Sequence, residues 1–279
     1  MNNIFNFKRF GLVIRKDLME NMKRYMLLFL TMIGIMAIVT TTTTWRYCST
    51  WGGGEQYDYM MHNKALLEVL SYAFLAGGLL FASTFMAPMN SKLKRLSYLS
   101  NPSSNLEKFL TRWIIVTVGY ILAFFAAMWM ADALRVAVIS ARFPGLELKF
   151  IDLTKLYSPN GSRYYFFTDE KFTILLFVYF FLQSLFLLGA MCWEKVSFVK
   201  TFVAVVTLVF AYVLLCRAAI LIAYEEGLKG FGNIFRSFFK YNTGEMMWLV
   251  ACVAMTVFTL ASWVLAFFRF RESEITKRL

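Results

Sequence analysis

The sequence lacks the common catalytic motifs of enzymes and has almost no histidine. It contains no G-x-x-x-x-G-K-[ST] phosphate loop, no H-E-x-x-H or G-x-S-x-G motif, and no cluster of Cys and His ligands. His62 is the only histidine, which leaves few candidates for acid-base catalysis and no partners for a metal site, so we expect it at the surface. We therefore predict a chain that is not an enzyme and uses no cofactor or metal.

Charged residues are scarce and apolar residues are abundant. Only 16% of the chain is charged, 59% is hydrophobic and the mean hydropathy is +0.58, which is outside the range of soluble domains. A helix that crosses a bilayer needs about 20 mainly apolar residues. Six windows qualify, and they predict an all-α, polytopic membrane protein with one transmembrane domain over residues 1–279 and spans at about 26–44, 69–89, 113–131, 172–192, 201–224 and 246–268. The four cysteines are dispersed among these spans and their ends, which predicts no disulfide framework.

The net charge of +12 is concentrated on one side of the predicted membrane. Basic residues cluster before the first span, between the second and third spans, between the fourth and fifth, and at the C-terminus. Because basic loops remain in the cytoplasm, both termini are predicted to be cytoplasmic. The same charges predict contact with anionic lipids, which accounts for the basic composition without a nucleic-acid partner.

Three segments outside the spans have a predicted structure of their own. Residues 4–22 show helical periodicity with basic flanks and predict an amphipathic helix in the cytoplasmic interface; the alternative is a basic segment that only orients the protein. Residues 225–245 predict a second amphipathic helix, which lies in the outer interface or dips into the membrane and returns. Residues 132–171 are the largest outer loop, which we expect to form a compact cap, with Asp132 and Arg135 paired at the helix end.

Residues 90–112 form a polar, basic segment between the second and third spans. In its second half, Ser104 is a helix N-cap and Glu107, three residues later, completes a capping box. Its first half is a short amphipathic piece with a positive face, made of Lys92, Leu93, Lys94, Arg95 and Leu96. We predict that this cytoplasmic segment is a docking surface.

Two strongly polar side chains fall within the predicted spans, Gln183 in the fourth and Arg217 in the fifth. A charge at membrane depth is costly, and such residues usually face a bundle interior or a water-filled path. We therefore consider Gln183 and Arg217 as candidates for a transport pathway. The alternative for Arg217 is that its side chain extends outward to Glu225 or Glu226.

The order of these features resembles the permease subunit of type-2 ATP-binding-cassette (ABC) transporters. Such subunits have a cytoplasmic amphipathic helix, six spans, a coupling segment between spans two and three, and an outer amphipathic helix between spans five and six. The stretch from Asn101 to Leu110, followed by Arg112 and Trp113, is similar to the LPxSxxEKFLxRW stretch of small permease-like proteins of Bacteroides-type bacteria. Asn101 departs from the leucine of that pattern.

The resemblance implies a function in the bacterial cytoplasmic (inner) membrane. A separate ATPase subunit would dock on residues 90–112, at Lys92, Leu93, Lys94, Arg95, Leu96, Ser104, Glu107 and Lys108. Two permeases, as a homodimer or a heterodimer, would enclose the path and export an amphiphilic substrate by alternating access. The alternative is a scaffold or sensor module that transports nothing, with an outer segment that receives a signal.

Overall fold

The computed structural model describes residues 5–50, 59–86, 103–144, 148–151, 169–193, 196–225 and 244–276, and these residues form helices with short turns and no strands. The all-α prediction is confirmed for this part of the chain. The helices are α1 (Phe7–Glu20), α2 (Met22–Thr50), α3 (Tyr59–Ser83), α4 (Asn105–Ile114), a π-helical segment (Ile115–Gly119), α5 (Tyr120–Arg142), α6 (Asp169–Cys192), α7 (Ser197–Glu225) and α8 (Gly244–Thr276).

Together these elements form six helical stretches that are long and apolar enough to cross a membrane, which confirms the predicted number of spans. Their apolar parts are Met22–Ser49, Ala65–Ser83, Asn105–Arg142, Leu175–Cys192, Ser197–Leu215 and Leu249–Glu272. The third span consists of α4, the π segment and α5 without a break. The side on which the termini lie stays a prediction.

The second and third helices differ in extent from the predicted windows. The second begins at Tyr59 and ends at Ser83, whereas the window was 69–89. The third runs from Asn105 to Arg142, so it includes the second half of the predicted coupling segment and the start of the predicted outer loop. Hydropathy detects the apolar part of a helix, whereas the capping box at Ser104 and the Asp132–Arg135 pair extend the third helix beyond its apolar part. The second helix ends before its window does, because an apolar composition does not by itself mark where a helix stops.

Other predictions fall outside the described residues. These include the positive piece at Lys92 to Leu96 and nearly all of the predicted outer helix at 225–245, of which only the ends belong to α7 and α8. Half of the predicted cap at 132–171, namely residues 145–147 and 152–168, is outside them too.

The third span lies at the centre of the packing. Tyr120 and Phe124 of α5 pack with Phe74 of α3 and Tyr179 of α6. A second cluster, closer to α1, joins the turn after α3 to three helices, α4, α6 and α8, through Phe85, Phe109, Phe186 and Phe270. Gly77 and Gly78 make the first contact possible, because a Cβ at either position would collide with the ring of Tyr120 or Tyr179. The glycine pair therefore allows α3 to approach the third span and α6 closely.

An ion pair fastens the far end of α5, the end opposite to α4. Arg135 Nε donates to Asp132 Oδ1 over 2.6 Å, and both side chains are buried. The same two residues hold an extended strip of chain: Arg135 Nη2 donates to the carbonyl of Lys149 (2.9 Å) and the amide of Ile151 donates to Asp132 Oδ2 (2.8 Å). The predicted pairing of Asp132 with Arg135 is confirmed, and it ties residues 148–151 to the span.

The prediction that His62 lies at the surface is wrong. Its ring is 1% exposed in the first turn of α3, ahead of the apolar part of the helix, and its Nε2 lies 2.9 Å from Thr44 Oγ1. Since Thr44 gives its only hydroxyl proton to the carbonyl of Thr40, His62 Nε2 is the donor in this contact. Burial, and then the charge of Arg135, lower the pKa of His62 from its ordinary 6.5 to about 4. A pattern based on polarity could not show that this ring faces α2.

We predict that His62 makes the fold sensitive to acid. The unfolded chain takes up a proton on His62 below pH 6.5, whereas the folded chain does so only near pH 4. Stability is therefore complete above pH 6.5, and about 3 kcal/mol is lost as the pH falls to 4. Thermal unfolding of detergent-solubilised wild type and His62→Gln at pH 7 and 4.5 measures this. Equal losses in both proteins would contradict it.

Candidate functional site

The carboxylate of Glu107 takes part in the capping of the N-terminus of α4. Ser104 Oγ accepts a hydrogen bond from the Glu107 amide (3.2 Å), and Glu107 Oε2 accepts one from the Ser104 amide (3.1 Å), which together form the predicted capping box. The Glu107 side chain has no exposed surface. A buried carboxylate needs more donors than one amide supplies.

The additional donors come from α1, about a hundred residues away in the sequence. Arg9 binds the carboxylate with two nitrogens, Nε to Oε2 at 2.7 Å and Nη2 to Oε1 at 2.8 Å. The amide of Asn6, the N-cap of α1, donates to Oε1 over 2.8 Å. Hydrogen bonding to Glu107 raises the pKa of Arg9 above its ordinary value. One carboxylate thus accepts backbone hydrogen bonds from the N-caps of two helices.

A second polar contact joins the other end of α1 to α4. Arg112 Nη2 lies 3.2 Å from Asp17 Oδ1, and Arg112 Nη1 donates to the hydroxyl of Tyr25 (2.9 Å). Tyr25, in the first turn of α2, donates in turn to Asp17 Oδ2 over 3.1 Å. Burial raises the pKa of Asp17, and the neighbouring Arg112 only partly offsets this. Asp17 is therefore the less stabilised of the two carboxylates as an anion, because it lacks the four donors that Glu107 has.

We call Arg9, Asp17, Glu107 and Arg112 the α1 clamp. The cation of the first pair is on α1, whereas the cation of the second pair is on α4. The two pairs thus have opposite polarity across the α1–α4 contact. If α1 were reversed, Asp17 would face Glu107 and Arg9 would face Arg112, and a shift of α1 along α4 would likewise bring like charges closer together. The clamp therefore fixes the position and the direction of α1 along α4.

The clamped helix is amphipathic, as predicted. None of its residues is buried, and its outward apolar side chains are well exposed, with Phe7 at 81% and Leu12 and Met19 each at 65%. An apolar face of this kind suits a membrane interface. The location of α1 in that interface stays a prediction.

The predicted docking residues are only partly described. Ser104 is half-buried, and Glu107 and Lys108 are buried at the start of the third span. The structure thus brings these three together beside α1 and gives Glu107 an intramolecular role, while Lys92, Leu93, Lys94, Arg95 and Leu96 lie outside the described residues. Docking at these eight positions stays a prediction.

The two candidate pathway residues occupy different surroundings. Gln183 is fully buried, and its Nε2 donates to Thr117 Oγ1 in the π segment over 2.8 Å. Arg217 is exposed on α7, two residues beyond the apolar part that ends at Leu215. Among the described residues, no hydrogen bond or ion pair joins Gln183 to Arg217. The side chain of Glu225 is outside the description, so the outward pairing of Arg217 stays a prediction.

The fold defines a class of protein: a helical membrane protein that crosses the bilayer several times. No protein-family model, no curated protein and no solved structure matches the chain. The described part of the chain has no group of three or more His, Cys, Asp or Glu side chains that could hold a metal ion. The function must therefore be argued from the α1 clamp and from the sequence around it.

We predict that Glu107→Gln strongly destabilises the protein. Glutamine has one acceptor oxygen instead of two and no charge, so one Arg9 nitrogen and one backbone amide lose their acceptor and the Arg9 cation loses its counter-charge. Breaking a buried, hydrogen-bonded ion pair in this way costs about 3 kcal/mol in the free energy of unfolding. Chemical unfolding in detergent measures the change.

The matched control is Glu272→Gln. Glu272 also pairs with an arginine, Arg269 at 3.1 Å, but both side chains are 61% exposed, so the loss should be below about 1 kcal/mol. If Glu107→Gln lost no more stability than Glu272→Gln, the clamp would not hold α1 in place.

Proposed function

We propose that the chain is the permease subunit of a type-2 ABC exporter, which moves an amphiphilic substrate by alternating access when coupled to a separate ATPase. The observation that carries the proposal is the α1 clamp. It fixes an amphipathic helix to the start of the third span, directly after the basic segment that resembles a coupling segment.

The clamp offers a mechanical route from that segment into the bundle. Residues 90–102 lead straight into Ser104 and Glu107, so a force on them reaches α4 and, through Arg9, α1 at the same time. Through Tyr25 the force also reaches the first span. The third span then extends as one helical element to Arg142, in contact with α2 and α3 and, through Thr117 and Tyr120, with α6. Rigid elements connected in this way can turn a local push into a rearrangement of the whole bundle.

The absence of a nucleotide-binding motif from the sequence supports the proposal that a separate subunit supplies the energy for transport. The sequence has no phosphate loop with which to bind a nucleotide, so hydrolysis belongs to another subunit. We assign the chain to the bacterial cytoplasmic membrane with both termini inside, working as a homodimer or heterodimer of permeases. Anionic lipids would neutralise the basic residues on the inner face.

The direct test is purification from the native membrane in mild detergent. We expect an ATPase with a phosphate loop to co-purify, and we expect Lys92→Glu/Lys94→Glu/Arg95→Glu to abolish its binding because the docking surface changes sign. The control is Arg269→Glu/Arg271→Glu, at exposed sites on α8, which should keep the ATPase. Unfolding temperatures of all variants show whether each is folded.

The possible outcomes separate the hypotheses. An ATPase that binds the charge-reversed variant as well as the wild type would disprove docking at residues 92–95 but keep the permease. A folded protein with no ATPase partner, and no ATPase stimulated by it in liposomes, would overturn the permease in favour of the scaffold or sensor.

A further inference from the structure

The third span carries its one described π-helical segment, Ile115–Gly119, at a polar contact inside the bundle. Thr117 in this segment accepts the hydrogen bond from Gln183 Nε2. Both side chains are buried, at 2% and 0% exposure, and both lie within apolar spans. Segments of π-helix occur frequently at functional sites.

Two buried polar atoms of α6 have no hydrogen-bond partner among the described residues: Gln183 Oε1, in the residue that contacts the π segment, and the hydroxyl of Tyr179, whose ring stacks on Tyr120 directly after that segment. Both residues are on α6, and a spacing of four places them on the same face, one turn apart. Both side chains are 0% exposed. Turning the Gln183 amide over would exchange its oxygen and nitrogen but still leave one of them without a partner.

Tyr120 shows how a buried tyrosine is satisfied in this bundle. Its ring stacks on that of Tyr179 with 6.3 Å between the centroids, and its hydroxyl donates to the carbonyl of Phe74 over 2.8 Å. The two tyrosines share a depth, a core and nearly the same burial. They differ in that one hydroxyl has a protein partner and the other has none in the described residues.

Leaving such groups without partners is unfavourable inside a membrane protein. No bulk water reaches the hydrocarbon depth, and each unsatisfied buried donor or acceptor is strongly destabilising. The enclosing side chains are aromatic and aliphatic, and the polar groups at this contact are neutral. A ligand that fits must be small, uncharged, and both a donor and an acceptor.

We propose that Thr117, Tyr179 and Gln183 form a buried water-binding site beside the π segment. The water accepts a hydrogen bond from the hydroxyl of Tyr179 and donates one to Gln183 Oε1, so both groups are satisfied. Gln183 then belongs to a hydrated contact between the third and fourth spans, not to an open path. The proposal of this water-binding site does not depend on whether the chain transports a substrate.

The experiment uses the full chain in detergent micelles and compares Tyr179 with Tyr120. Brief X-ray radiolysis produces hydroxyl radicals from bound water, which oxidise neighbouring side chains, and mass spectrometry measures the rate for each tyrosine. We expect Tyr179 to be oxidised several-fold faster than Tyr120, although both are buried. Thermal unfolding supplies a second readout, with Tyr179→Phe and Tyr120→Phe as the variants.

If water satisfies the Tyr179 hydroxyl, Tyr179→Phe lowers the unfolding temperature by about 2–4 °C, as the loss of one buried hydrogen bond should. Tyr120→Phe gives the reference value for a hydroxyl with a protein partner. If Tyr179→Phe leaves the unfolding temperature unchanged or raises it, the hydroxyl is dry and the proposal is overturned. Oxidation of Tyr179 no faster than that of Tyr120 overturns it equally.

Discussion

The carboxylate of Glu107 is the contact on which the arrangement of the N-terminal part depends. It accepts four hydrogen bonds, two from Arg9 and one each from the amides of Asn6 and Ser104, and so serves two helix N-termini with a single charge. Both helix dipoles favour an anion at that position. The position that favours the negative charge is therefore also the junction of α1 and α4. If the two helices separated, the donors on α1 and the carboxylate on α4 would lose their partners.

The polar groups of the third span divide it into three levels. Glu107 and Arg112 hold α1 at one end, and Asp132 with Arg135 holds residues 148–151 at the other. Between them Thr117 contacts α6, and Tyr120 contacts α3. Charged pairs are thus confined to the ends, and hydroxyl and amide groups lie at depth, where a charge would be most costly. Each level ties a different neighbour, which makes this span the axis of the described bundle.

Sequence alone predicted the features that depend on neighbouring residues. The capping box at Ser104 and the Asp132–Arg135 pair follow from spacings of three, and the six spans follow from long apolar windows. Sequence did not predict the Arg9–Glu107 pair, because the two residues are 98 positions apart and many basic residues could have been the partner. The burial of His62 was missed for the same reason, since its partner Thr44 is on another helix. The π segment IVTVG has no composition that distinguishes it from ordinary apolar helix.

The ion pairs also determine where the excess charge of the chain resides. The pairs made by Arg9, Arg112 and Arg135 are each neutral, so they contribute nothing to the net charge of +12. The positive excess therefore belongs to other basic residues, among them Lys92, Lys94 and Arg95, which directly precede the clamp. Arg9, Arg112 and Arg135 are thus neutralised by the carboxylates with which they hold the described helices together. In the sequence this basic segment comes directly before the junction of α1 and α4, and its binding to a partner stays a prediction.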